Sequence, residues 1–185
     1  MDLSGLPEHF EKYLGEIECG WTTDPDGRPM PFSVARYPEG SGSGSCAFST
    51  IGLSKHELHW PNGRTVRQEL LMLVTDEHRD GSIPAVLQQV GTMLMAEHHA
   101  VRLGDLFGPN GPVVAGSALE AFWVHQPVYQ PDDFAVFKDT IVIAWLIPIS
   151  PAEADFVRRR GSDAFQELLI EQDPNLMDLF RDSVV

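Results

Sequence analysis

The sequence predicts an α+β fold, a mixed or antiparallel β-sheet packed against helices. Two observations carry this. Period-two and continuous apolar segments cluster between Phe32 and Val74 and again between Leu119 and Pro148. Helical spacing appears at the start, after Ser82 and after Ser150. Strands therefore cluster instead of alternating strictly with helices, which disfavours a doubly wound parallel sheet. A chain of 185 residues favours one domain. Within it, 1–29 reads as an N-terminal helix and turn-rich extension, and 30–185 as the core.

The elements follow in order. Pro7 to Glu16 carries Phe10, Tyr13 and Leu14 at helical steps, with Ile17 just beyond, and Pro7 suits a first turn. Thr23 to Pro29 is rich in turn formers. Phe32 to Tyr37 alternates like a strand. Glu39 to Ser45 is a flexible Gly/Ser loop, and Ala47 to Ile51 is a strand beyond it. Pro61-Asn62-Gly63 marks a tight turn. Val66 to Val74 reads as a strand buried on both faces.

Ile83, Val86, Leu87, Val90, Met93 and Leu94 define a helix ending near Ala100, with Ser82 as its cap. Leu119 to His125 and Phe134 to Pro148 read as strands, and Trp145 as core. Ser150-Pro151-Ala152-Glu153 fits a capping box. Gly161 ends that helix, Ser162 caps the next, and Asp173-Pro174 opens a terminal turn.

Composition narrows the function. Hydrophobic residues make up 43% and charged residues 22%, enough apolar mass for a core and too little charge for wholesale disorder. The net charge of -14 disfavours nucleic acid and anionic membrane, both of which need Lys and Arg to displace counterions. It suits a basic protein partner, whose encounter it would accelerate. The start lacks a basic stretch followed by an apolar run, and the apolar stretch Ile141–Ile149 is too short to span a bilayer. A cytoplasmic protein is expected. Cys19 and Cys46 fit no metal or redox spacing and read as free thiols.

No catalytic motif stands out. Gly40-Ser41-Gly42-Ser43-Gly44 has the letters of a nucleophile elbow, but a flexible loop before a strand is the wrong context. The same loop lacks the lysine of a phosphate-binding loop. His56 and His59 form one histidine cluster, and Glu97, His98 and His99 another. Adjacent helical residues point about 100° apart, so a metal site would need the two clusters to converge. No cofactor is called for. Trp60, in a turn, is a candidate interface anchor. Asp132 and Asp133 read as solvated turn residues and, in so acidic a chain, as candidates for meeting a basic partner.

Four segments in order resemble the suppressor-of-fused family. They are Phe48-Ser49-Thr50-Ile51-Gly52-Leu53-Ser54; Gln68 to Leu73; Ile83 to Leu87 through Leu103-Gly104-Asp105; and Leu146 to Ser150 with Glu153, Gly161 and Glu167-Leu168-Leu169. They span roughly 30 to 185. The resemblance implies an α/β sandwich that binds protein and has no known catalytic chemistry. Animal members add a transcription-factor peptide as a strand, clamped between two domains, and this chain matches only the first of those domains. Phe48 to Ile51 matches the peptide-holding strand, so Phe48 and Thr50 are candidate partner contacts. Phe48 stands where the family has tyrosine, so any hydroxyl contact there is lost. Short bacterial relatives resemble immunity proteins that neutralise a toxin. The alternatives are a regulatory adaptor that receives a peptide at a strand edge near Phe48 to Ile51, and a metal-dependent hydrolase using His56, His59, His98 or His99.

Overall fold

The run Ile141–Ile149 sends alternate side chains to opposite sides of a sheet. Ile141, Ile143, Trp145, Ile147 and Ile149 enter one core, and Ala144 and Leu146 enter the other. Val66–Val74 behaves alike, with Leu71 and Leu73 on the first side and Leu70, Met72 and Val74 on the second. A continuous apolar run is what a strand covered on both faces requires. The computed structural model describes residues 4–185.

Among the described residues, nine strands form the sheet: β1 (Cys19–Thr23), β2 (Pro29–Tyr37), β3 (Ser45–Ile51), β4 (Leu58–His59), β5 (Thr65–Thr75), β6 (Leu106–Phe107), β7 (Ala121–His125), β8 (Val136–Phe137) and β9 (Ile141–Ile149). Their order is β1-β2-β3-β5-β9-β7-β6, with β4 on β5 and β8 on β9. The β5–β9 pair is parallel and the other pairs are antiparallel, so of the two arrangements expected the sheet is the mixed one. Helices α1 (Leu6–Leu14), α3 (Pro151–Arg160) and α4 (Ser162–Gln172) cover the first face, and α2 (Ile83–Glu97) covers the second. Among the described residues, no helix is long and apolar enough to cross a membrane.

Local chemistry explains the departures from expectation. Residues 6–23 do not merely extend the core: Leu6, Phe10 and Leu14 are buried in it, and β1, missed in the sequence, pairs with β2. The turn-rich stretch after Thr23 is their hairpin connection. The long strand expected over Phe134–Pro148 is a hairpin. Lys138 and Asp139 take φ values of 48° and 55°, the paired positive values of a tight turn, and β8 folds back on β9. Helix α2 stops at Glu97, because His98 turns left-handed (φ 51°) and its N–H closes on Met95.

The capping box of α3 is present: the Glu153 N–H donates to Ser150 Oγ (3.1 Å), and the Ser150 N–H to Glu153 Oε2 (2.7 Å). Neither Ser82 nor Ser162 caps a helix through its side chain. Ser162 begins α4, and its hydroxyl accepts from Trp123 Nε1 (2.9 Å).

Gly91 shows how closely α2 lies on the sheet. A Cβ there would sit 2.5 Å from Phe32 Cζ, and that ring is buried. Alanine normally favours a helix by about 1 kcal/mol over glycine. Gly91→Ala is nevertheless expected to destabilise by about 1–2 kcal/mol, since overpacking wins. Urea denaturation checks this, and adding Phe32→Leu should restore most of the loss.

The expected free edge near Phe48 to Ile51 does not exist. Strand β3 pairs with β2 over Ala47–Ile51 and with β5 over Ser45–Ser49. Phe48 and Thr50 are fully buried, Phe48 in the core beneath α2. An added strand would have to displace a neighbour, and the sheet instead ends at β1 and β6.

Candidate functional site

The histidines settle first. The backbones of the two clusters do converge: the His59 N–H donates to His98 O (2.9 Å) and the Ala100 N–H to His59 O (2.9 Å). Their side chains do not gather into a set of ligands. Among the described residues, the group with ligand atoms close enough for one ion is Glu77, His78 and Asp178, which the sequence reading did not single out. One of its atoms, Asp178 Oδ1, already accepts from the Phe180 N–H (2.8 Å).

Buried titratable groups serve the fold. Glu69 lies on β5 at the point where β3 and β5 part. Its Oε1 accepts from the N–H groups of Gly52 (2.9 Å) and Ser54 (3.1 Å) and from Ser54 Oγ (2.7 Å). Its Oε2 accepts from Thr50 Oγ1 (2.6 Å), and that hydroxyl in turn accepts from the Leu70 N–H (2.8 Å). Burial raises the Glu69 carboxyl above the ordinary range, against the opposing pull of these donors. The Gly52-Leu53-Ser54 and Glu69-Leu70 motifs are thus one structural unit, and Thr50 belongs to it. Cys19 and Cys46 are free thiols, as expected. Burial pushes the Cys46 thiol up to about 12, so it carries no thiolate nucleophile at neutral pH.

The remaining candidates reach the surface. Trp60 is half-buried, donates from Nε1 to Val101 O (3.4 Å), and has the Arg64 guanidinium 5.3 Å from its ring. With Gln68, Val142 and the exposed Leu103 it borders an apolar cleft of about 280 Å³. Asp132 and Asp133 are exposed in a single turn after Pro131, far in sequence from Trp60.

A larger opening lies on the opposite face, and the sequence reading missed it. Strands β7 and β9 pair with His125 opposite Trp145 and Trp123 opposite Ile147. These four side chains form the floor of a groove of about 320 Å³. Gln166, Leu169 and Ile170 of α4 line it as well, together with Val128, Tyr129 and Asp173. Tyr129 packs against Trp145 at 5.3 Å. Burial, and then the facing Asp173 carboxylate, raises the Tyr129 hydroxyl.

Val128, Tyr129 and Ile170 expose 50%, 42% and 72% of their surface, an apolar patch around an apolar groove. The signal available in the sequence was Ile170, which falls off the Phe165/Leu169 face of α4.

Comparison with known proteins agrees with this architecture. No curated protein matches by sequence. A suppressor of fused homologue from Neisseria gonorrhoeae is similar with a TM-score of 0.72 at 19% identity, over 99% of this chain and 94% of that one. A chain of the Sufu–Fu complex is similar with a TM-score of 0.71 at 14% identity, over 98% and 91%. Drosophila Suppressor of Fused gives 0.61 at 15% identity; 84% of this chain matches 43% of that longer one. Residues 28–182 match the family model described as Suppressor of fused protein (SUFU), and the chain belongs to that family.

Proposed function

We propose that this chain is a non-enzymatic binding domain that captures a basic protein, and that it acts as an immunity protein neutralising a cognate toxin in the cytoplasm. The observation that carries binding is the exposed apolar patch of Val128, Tyr129 and Ile170 around an aromatic-floored groove, on a chain of net charge -14. Apolar anchors give affinity at an interface, while opposite charge sets encounter rate and discourages acidic competitors. A chain of similar fold occurs in the Sufu–Fu complex, which supports protein binding as the mode. Trp60, Asp132 and Asp133 stand as further contact residues under this reading. Phe48 and Thr50 act only through the fold.

The experiment mixes the purified protein with the products of neighbouring genes and follows complex formation by calorimetry and stopped flow. A micromolar or tighter complex is expected, with an association rate falling about tenfold or more between low and high salt. Absence of any complex, or turnover of a small substrate, overturns the proposal.

A further inference from the structure

The end of β5 and the C-terminal segment meet where the Thr75 N–H donates to Met177 O (3.0 Å). That contact gathers side chains from distant parts of the chain. Glu77 and His78 lie on the 3₁₀ turn Asp76–His78, and Asp178 follows Met177. One ligand atom of each lies within 4.8 Å of the other two.

Carboxylates gather on surfaces without a metal, so the histidine decides. His78 Nε2 is buried and has no hydrogen-bond partner among the described residues. It faces Glu77 Oε1 at 3.7 Å, beyond hydrogen-bond range. Zinc bonds of about 2.0–2.2 Å to nitrogen and oxygen, at angles of about 110–125°, set two ligand atoms about 3.3–3.8 Å apart. The observed gap is one that a shared ion spans.

The donors are held in place. Thr75 Oγ1 donates to Glu77 Oε1 (3.2 Å) and the Phe180 N–H to Asp178 Oδ1 (2.8 Å), while the Phe180 ring packs on the imidazole at 5.3 Å. Such outer contacts orient the ligands of metal sites. On the same turn, Asp76 Oδ1 is also buried without a partner among the described residues. An acceptor and an imidazole nitrogen left over on one turn are groups that a cation satisfies together. The neighbouring Arg79 guanidinium is engaged elsewhere, on both carboxylate oxygens of Glu18 (2.8 Å each).

We propose that Glu77, His78 and Asp178 bind one divalent ion of the zinc class. Imidazole selects zinc over magnesium and calcium, which take oxygen ligands. Three protein ligands leave a fourth position for water. Glu77 is the exposed member of the set, and its side chain swings to admit the ion to the ring nitrogen. The bound ion clamps the end of β5 to the C-terminal segment, which lines the groove with Pro174 and Leu176. The site stands independently of the protein-binding reading.

Chelator-treated protein titrated with zinc chloride should bind one equivalent with a dissociation constant on the order of micromolar, and magnesium or calcium at least about a hundredfold more weakly. His78→Gln and Asp178→Asn should each weaken zinc by at least about tenfold. Asparagine keeps an acceptor for the Phe180 N–H, so that turn is retained. His98→Gln, in the other histidine cluster, should leave zinc binding unchanged. Wild-type protein supplies readouts that need no variant. The ring-nitrogen resonance of His78 should shift with zinc, and amide exchange from Met177 to Arg181 should slow at least about tenfold at saturation.

No zinc binding below about a millimolar, or equal affinity for magnesium, would overturn the assignment. So would binding that survives His78→Gln, binding that His98→Gln removes, or unchanged exchange in the C-terminal segment.

Discussion

Replacing Arg181 with methionine is expected to lower the unfolding free energy by about 3–5 kcal/mol, because it strands a buried carboxylate. Arg181 and Glu153 have side-chain exposures of 4% and 0%, and two guanidinium nitrogens meet the two carboxylate oxygens at 2.6 and 2.9 Å. Arg181 also donates to Pro148 O (3.1 Å), at the end of β9. Glu153 accepts from the Val184 N–H (3.1 Å) besides closing the capping box of α3. This cluster therefore joins β9, α3 and the C-terminal segment.

Removing one charge leaves the other desolvated without its counterion. Removing both is milder. Arg181→Met with Glu153→Leu should recover most of the loss, short of about 1 kcal/mol for the broken cap. Chemical denaturation of the two single variants and the double one measures this coupling. A single-variant cost below about 1 kcal/mol would show that the pair contributes no more than a surface bridge. The same segment supplies Pro174 and Leu176 to the groove, so Arg181→Met should also weaken groove binding.

Glu69→Ala is the second large effect, expected at about 3 kcal/mol or more. It leaves the N–H groups of Gly52 and Ser54 and the hydroxyls of Thr50 and Ser54 without their acceptor. Each unsatisfied buried donor costs about 1–3 kcal/mol, and relaxation of the two hydroxyls offsets part of the sum. Glu69→Gln keeps the shape but turns an NH₂ toward donors, so it should also destabilise.

Its pH dependence has a definite sign. The folded-state pKa is raised by burial, so between the ordinary glutamate value and that raised value the folded protein holds a proton that the unfolded chain has lost. The favourable contribution is complete below the unfolded pKa and is lost as pH rises through the folded one. Wild type should therefore gain stability over Glu69→Gln as pH falls toward the acidic end of that window. A difference that grows with rising pH would contradict the raised pKa.

The strands richest in β-branched and apolar residues were legible because their burial on both faces leaves an unbroken apolar run, as in Ile141–Ile149. The capping box at Ser150 was legible because its chemistry lies within four consecutive residues. Strand β1 was not, since Cys19-Gly20-Trp21-Thr22-Thr23 is half-exposed and gains its identity from pairing with β2. The β8–β9 turn was hidden because Lys138 and Asp139 are uncommon at positive φ. The groove was illegible for a related reason. Trp123 and Trp145 are 22 positions apart by their numbering and come to line one groove through the pairing of β7 with β9, while Ile170 arrives on a helix that follows both.

The α+β class, the clustering of the strands, the acidic balance and the family resemblance were therefore determined by local pattern and composition. Tertiary structure decided which strand edges are free, that Phe48 and Thr50 are interior, that Glu69 and Arg181 are buried with partners from distant segments, and that the Trp145 indole N–H is buried without a partner among the described residues. Periodicity reports which side of an element is apolar. Only the packing of one element on another decides what that side touches, and whether anything covers it.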